Sequence, residues 1–492
     1  MQAGAYGLVL SPVSSFAGGI VDVSSETKRR LLYTEDHTDL DLPEGKRIPF
    51  GWPAFGIAPG ERVTFRLQEK LNGRNLWLRV SVALEVWENK LLHIHIPYPN
   101  IYLGAIDIRY SAVLVPYELE IDAKYANLIQ VYGLSMTLEG STPLWIFNGF
   151  AAKEDNSAFL PCLLDSEEKR GSREDFLNCF MSVNSVQSFA WREGCVLDGL
   201  WQVYDQKGEE RALEAIYKHF DLFFDEDQNL VYESARSAPK DNQIGGTEFA
   251  LPFAVLAKTN PNHPILRKTV QTWGGWRKHT QMTPGNRSFK AEGCYTVAYP
   301  MAAIGKAWGD DELMKRSLDY LRRSFVLMHE EQLYLQYYRG ERYFKNWARG
   351  IAWFLLGYVR TISELKTNVV DEEIVQKFRK GVNIALSYQN KNGLWNCFVD
   401  DNQSLSDTSG SAGIAAAILT GVRGGFLPEE YKKPALKCWD SLQDYLTPDG
   451  YLKGAAQDNR GGMELQRGEY RVIAQMGMGL MAQVYAEIEK ID

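Results

Sequence analysis

Two hydrophobic rhythms divide this chain. Up to about residue 150, apolar and polar residues alternate in RVTFRL (62–67), LWLRVSVALEVW (76–87), KLLHIHI (90–96) and LIQVYGLSMTLEG (128–140), with turn-forming LPEG, APGE and LNGR between such runs. A period of two with short spacings predicts an antiparallel β-sandwich. From near Glu174 to the C-terminus the pattern is helical. Met314, Leu318, Leu321, Phe325 and Met328 form one amphipathic stripe, as do Leu213, Ile216, Phe220 and Phe223, and Phe378, Val382 and Ala385. Between the stripes lie runs that are apolar nearly all round, such as GIAWFLLGYV, SGSAGIAAAIL and QMGMGLMAQVY, which predict helices buried on every side.

The apolar runs recur. They open near Trp191, Glu248, Glu292, Arg349, Ser409 and Glu469, at spacings of 57, 44, 57, 60 and 60 residues. Each unit reads as a polar segment, an apolar helix, a turn and an amphipathic helix. Such hairpins cannot bury their faces alone and must stack. Fifty-residue hairpins also build open solenoids, but six is a number that closes, and a helix at 172–182 would pair with the last run, 468–488. The expected fold is mainly α: an N-terminal antiparallel β-sandwich domain (1–150), a connector (151–171) and an (α/α)6 toroid (172–492). The polar segments before the inner helices then converge at one mouth.

Composition narrows the partners. A net charge of -8 gives no sign of a nucleic-acid or anionic-membrane partner, yet a few local arginines can still hold an acidic ligand. No apolar stretch is long enough for a membrane span. The N-terminal MQAGAYGLVLSPVSSF lacks a basic leader region, which points to the cytoplasm unless a leader has been removed. The six cysteines, Cys162, Cys179, Cys195, Cys294, Cys397 and Cys438, form no CxxC and read as reduced, several of them in buried helical runs. His93 and His95 would share one strand face, without a carboxylate or cysteine nearby in sequence to complete a metal site. No metal or organic cofactor is implied.

The mouth segments are SFAWREG (188–194), IGGTEF (244–249), RSFKAEG (287–293), FKNWARG (344–350), SLSDTSGSA (404–412) and ELQRGEY (464–470). They supply carboxylates, arginines and aromatics. With no Cys/His pair and no serine triad in view, paired carboxylates remain, as in a glycosidase with one protonated acid and one carboxylate. Glu248 and Glu292, at the start of inner helices in adjacent repeats, are the candidate pair, with helix capping as the plainer reading. Arg349, two residues from Trp347, could grip a carboxylate bidentately beside a sugar-stacking ring, or merely be salt-bridged inside the ring of helices. Trp191 and Tyr470 would shape the subsite, and Arg192 and Asp407 are further candidates.

The stretches FKNWARGIAWFLLGYV, WREGCVLDGLWQVYDQKGEERALEAI, AEGCYTVAYPMAAIGKAWGDDE and NGLWNCFVDDNQSLSDTSGSAGIAAAIL resemble the unsaturated uronyl hydrolases of glycoside hydrolase families 88 and 105. The resemblance covers residues 172–490 and leaves the β region aside. It implies an (α/α)6 toroid that removes a terminal uronic acid from oligosaccharides, with catalytic carboxyls falling on Glu292 and Glu248 and the substrate-carboxylate arginine on Arg349. The family's usual chemistry hydrates a C4=C5 double bond. Here, both family aspartates read as glutamate, and the Asn-Gly of WARGNGW reads as Ile351-Ala352. A related branch, family 154, is similar in its β-rich N-terminal region and implies hydrolysis of saturated β-glucuronides. The sequence therefore leans towards an exo-acting β-glucuronidase. The alternatives are hydration of unsaturated uronides, a polysaccharide lyase on a similar toroid, and a non-catalytic glycan-binding protein. An exposed face of the β domain could lean on the toroid mouth or on a second copy in a homo-oligomer.

Overall fold

The computed structural model describes residues 28–72, 74–246, 248–279, 288–365 and 372–488. The expectation drawn from the N-terminal segment lies outside the described residues. The strands of the N-terminal domain are β1 (Arg29–Asp36), β2 (Ala54–Ile57), β3 (Arg62–Leu67), β4 (Asn75–Ser81), β5 (Asn89–Ile96), β6 (Ile101–Arg109), β7 (Pro116–Ile121), β8 (Leu134–Glu139), β9 (Leu144–Phe147) and β10 (Cys162–Ser166). Eight run antiparallel in the order β6-β5-β8-β3-β1-β10-β4-β7, and β2 pairs with β9. The edge strands β6 and β7 touch, so the sheet curls towards closure. Alternation sets the faces: in β5, Leu92, Ile94 and Ile96 are buried, while His93 and His95 lie on the other face.

Three stretches behave differently from their patterns. LIQVY, expected as strand, belongs to the helix α1 (Ala126–Tyr132). This helix stops at Gly133 (φ 73), where a Cβ would meet the Phe65 carbonyl oxygen at 2.1 Å. The run 76–87 forms a strand only as far as Ser81; Val82 then bridges to Ile146 of β9 before the chain leaves the sheet. Within the expected connector 151–171, Cys162–Ser166 forms β10, hydrogen-bonded between β1 and β4.

The helices that follow are α2 (Arg173–Phe180), α3 (Trp191–Lys207), α4 (Glu210–Phe223), α5 (Pro252–Thr259), α6 (Pro264–His279), α7 (Tyr299–Trp308), α8 (Asp311–Arg323), α9 (Ala348–Glu364), α10 (Glu372–Ser387), α11 (Thr408–Arg423), α12 (Lys432–Leu442), α13 (Gly462–Arg467) and α14 (Gln475–Glu487). The inner ring is α3-α5-α7-α9-α11-α14, each helix packed on the next and α14 back on α3. Closure depends on small residues, because a Cβ on Gly199 would lie 2.4 Å from the Gly479 carbonyl oxygen. The outer helix α2 starts at a capping box between Ser172 and Asp175, and packs on α14 as expected.

The stripe predicted across 314–328 is shorter than its pattern. α8 ends at Arg323, and Phe325 and Met328 lie in a 3-10 turn and a short strand. The last inner helix starts at Gln475 rather than near Glu469. The residues before it form α13 and a short pairing of Ala455–Ala456 with Arg471–Val472. One apolar core runs through both domains, and all six cysteines are buried and unpaired. Among the described residues, no helix is long and apolar enough to cross a membrane.

Candidate active site

A cavity of about 190 Å³ opens where four of the six predicted mouth segments meet. It is lined by Trp191 and Arg192 at the start of α3, Glu248 before α5, Lys290 and Glu292 before α7, and Trp347, Arg349 and Trp353 at the start of α9. The loop before α13 adds Asp458, Asn459 and Arg460; Ala235 adds a rim contact, and Trp87 comes from the β domain. A larger open groove of about 720 Å³, beside Arg379, Lys380, Phe426 and Tyr431, contains none of the predicted site residues. Backbone strain marks the mouth. Ala190, immediately before α3, has φ 111, an unfavourable setting for a side-chain-bearing residue that holds Trp191 at the wall. Downstream of Glu292, the helix opens with a π turn at Cys294–Ala298.

The two glutamates sit in contrasting surroundings. Glu248 is half-exposed and accepts a 3.0 Å hydrogen bond from Lys290 Nζ. Glu292 is turned inward, and its Oε2 is buried without a hydrogen-bond partner. Burial, together with the nearby Glu248 carboxylate, pushes the Glu292 carboxyl up to about 7, against the opposing pull of Lys290. The pair thus offers a carboxyl that still carries its proton in part at neutral pH, with a second carboxyl held by a lysine beside it. A buried carboxyl raised in this way is the pattern of a general acid.

Four cations share this small space with three carboxyls. Asp458 lies between Arg192 and Arg460, whose Nε is 3.1 Å away. Although burial opposes ionisation, these guanidinium groups hold the Asp458 carboxyl below the usual aspartate range. Burial pulls the Arg192 guanidinium down to about 10. Arg192 lies over the Trp191 ring at 4.6 Å, and Arg349 over Trp347 at 4.7 Å. With Glu292 protonated, the lining carries excess positive charge, which favours an anionic ligand group.

Most of the predicted residues converge: Glu248, Glu292, Arg349, Trp347, Trp191 and Arg192 all line the cavity. Arg349 is less free than its pattern suggests. Its Nη1 donates to Ser409 Oγ and the Ala456 carbonyl, and its Nη2 to the Gln457 carbonyl at 2.7 Å, leaving Nε unpartnered. Both terminal nitrogens are thus engaged within the chain, and Nε is the guanidinium nitrogen left without a partner among the described residues.

Asp407 and Tyr470 lie outside the cavity. Asp407 is the N-cap of α11; its Oδ1 accepts from Ser409 N and from Ala456 N at 3.0 Å. The Tyr470 hydroxyl joins the domains, donating to the Asp107 carbonyl and accepting from Arg109 N. The loop at 455–460 takes the place of these two segments at the mouth. Trp353, four residues after Arg349 on the same helix face, was legible from helical spacing, and Lys290 from its place two residues before Glu292. Asp458, Asn459 and Arg460 lie in an irregular loop, and Trp87 in what reads as a strand; neither carried a signal.

The comparisons with known proteins agree with this architecture. Residues 173–491 match the model of Glycosyl Hydrolase Family 88. Three solved structures share the fold. A possible GH105 member from Klebsiella pneumoniae is 17% identical, with 66% of this chain and 95% of that one covered and a TM-score of 0.52. A Clostridium acetobutylicum glycoside hydrolase of family 105 is 19% identical, with 64% and 97% covered and a TM-score of 0.52. A possible GH105 member from Salmonella enterica is 19% identical, with 61% and 82% covered and a TM-score of 0.51. No curated protein matches in sequence. The chain belongs to Glycosyl Hydrolase Family 88 and is a glycoside hydrolase.

Proposed function

We propose that this family member removes a terminal unsaturated uronic acid from oligosaccharides by hydrating its C4=C5 double bond, with Glu292 as the acid that starts the reaction. The observation that carries this reading is the inward Glu292 carboxyl, pushed up to about 7, with one oxygen unpartnered inside a cationic pocket. Membership of family 88 supports the hydration route over direct hydrolysis of saturated β-glucuronides, towards which the sequence leaned. In this route Glu292 gives its proton to C4, water adds at C5 and yields a hemiketal, the hemiketal opens to a C5 ketone and leaves a hemiacetal at C1, and the collapse of that hemiacetal to an aldehyde releases the leaving sugar. Glu292, now a carboxylate, takes the proton lost by the water. Glu248, held by Lys290, supplies the negative charge that keeps the Glu292 proton in place until the substrate arrives and stabilises positive charge developing on the ring. The Nε edge of Arg349 would receive the uronate carboxylate, with Trp347, Trp191 and Trp353 as the apolar walls around the ring.

Direct hydrolysis of a saturated β-glucuronide stays as the second reading, because a protonated Glu292 near an ionised partner also fits acid-assisted displacement. Two substrates tested side by side separate them. Loss of absorbance near 235 nm from an unsaturated uronyl disaccharide, with an aryl β-glucuronide left intact, supports hydration; the reverse result refutes it.

A further inference from the structure

The cavity has a deep end and a rim. Trp347, Arg349 and Trp353 are almost fully buried, at 3%, 1% and 4% exposure. Trp87, Asn459 and Arg460 are only partly buried, and Ala235 is exposed. A terminal sugar whose carboxylate meets Arg349 therefore occupies the deep end, and the next sugar leaves past the rim.

The rim has a donor surplus. The Trp87 Nε1–H is buried and, among the described residues, has no hydrogen-bond partner. Arg460 spends its Nε on Asp458, while its Nη1 is equally buried and unpartnered. Both side chains line the cavity. Arg460 lies over the Trp87 ring at 4.7 Å, and the exposed Arg236 lies over the same ring at 3.7 Å. Asp458 is the carboxylate that both Arg192 and Arg460 share. Two orphaned donors on one wall, together with two guanidinium groups that share a single carboxylate, are what an acceptor-rich anion would satisfy.

We propose that Trp87, Arg460 and Arg236 form a subsite for the sugar on the leaving side of the cleaved bond, and that this subsite takes an anionic group on that sugar, a carboxylate or a sulfate ester. The inference rests on the uronyl-hydrolase reading above. It gives the β domain a part in recognition, because Trp87 completes the site and sets the preference for acidic oligosaccharides. Neither domain holds the subsite alone, since Trp87 comes from the β domain and the two arginines from the toroid.

The test uses the full-length enzyme and three unsaturated uronyl disaccharides whose second sugar is neutral, carboxylated or sulfated. The wild type is expected to favour at least one charged substrate over the neutral one about ten-fold or more in kcat/KM, and the better of the two identifies the anion. Arg460→Gln and Trp87→Phe, the latter keeping an aromatic ring but no N–H, should erase that preference through KM, and Arg236→Gln should weaken it. Equal rates on all three substrates in the wild type would overturn the subsite, as would variants that lose rate equally on every substrate. Should Arg460→Gln fail to fold, Trp87→Phe and Arg236→Gln decide the matter by the same ratio. If no uronide is turned over, the reaction reading fails by itself. Calorimetric titration of the charged disaccharides then decides the subsite: binding weakened in Trp87→Phe upholds it, and absence of binding refutes it.

Discussion

The active-site mouth and the seam between the two domains are both dense with buried charge, yet they treat it in opposite ways. At the seam, Arg79 on β4 donates from Nη1 and Nη2 to both oxygens of Asp449, at 2.6 and 2.9 Å, and from Nε to Glu118 at 2.9 Å. Arg29 adds a 2.7 Å bond to Asp449, and Thr447 Oγ1 another at 2.8 Å. None of these side chains keeps an orphaned polar atom. At the mouth, Glu292 Oε2, Arg349 Nε, Arg460 Nη1 and Trp87 Nε1 are all buried without partners. Charge that is fully answered within the chain holds two domains in register. Charge left partly unanswered is available to a ligand, and its cost persists in the folded state until the ligand arrives.

The sharpest way to break this contrast is Glu292→Gln. Turnover should fall at least 10²–10⁴-fold, the usual contribution of a positioned acid, while the melting temperature holds or rises. A rise is expected above neutral pH because burial penalises the ionised carboxylate that the substitution removes. A rate within ten-fold of wild type would refute the assignment.

Asp449→Asn should do the reverse. Leaving Arg29 buried without its carboxylate and Arg79 with Glu118 alone should cost about 3–5 kcal/mol of stability, measured by denaturant unfolding, with kcat nearly intact in the protein that remains folded. The pH dependence has a definite sign. Although burial opposes it, the two arginines hold the Asp449 carboxyl well below the usual range, so its contribution is present at neutral pH. That contribution should be lost progressively as pH falls below about 4.

A finer test separates the neighbours of Glu292. Activity that needs its proton should fall as pH rises through about 7. Glu248→Gln removes a charge that raises the carboxyl, so that limb of the pH–rate profile should move to lower pH. Lys290→Gln removes a charge that lowers it, so the limb should move to higher pH, by about a unit or less in each case. Shifts in the same direction would contradict the geometry. The smallest effect is expected from Asp407→Ala, about 1 kcal/mol for a lost helix cap, with KM unchanged. A large KM increase there would return Asp407 to the substrate.

What could be read from the chain follows from local rules. Period two against period 3.6 separates sheet from toroid, since each element must turn its apolar residues to one side. The six apolar runs locate the inner helices, and Glu248, Glu292, Trp347 and Arg349 are legible because they precede or open those helices. Local rules fail where distant atoms decide. LIQVY alternates like a strand, but Gly133 against the Phe65 carbonyl ends it as a helix. Asp407 looks like a mouth residue until Ala456 N and Ser409 N take its Oδ1. The chain by itself determined the ring, the β domain and the placing of Glu248 and Glu292 at the mouth. Only the tertiary structure decided that burial raises the Glu292 carboxyl, that Asp458 and Arg460 rather than Asp407 enter the site and that Trp87 reaches it from the other domain. Burial and charge at a point in space depend on residues that are neighbours only after the ring has closed.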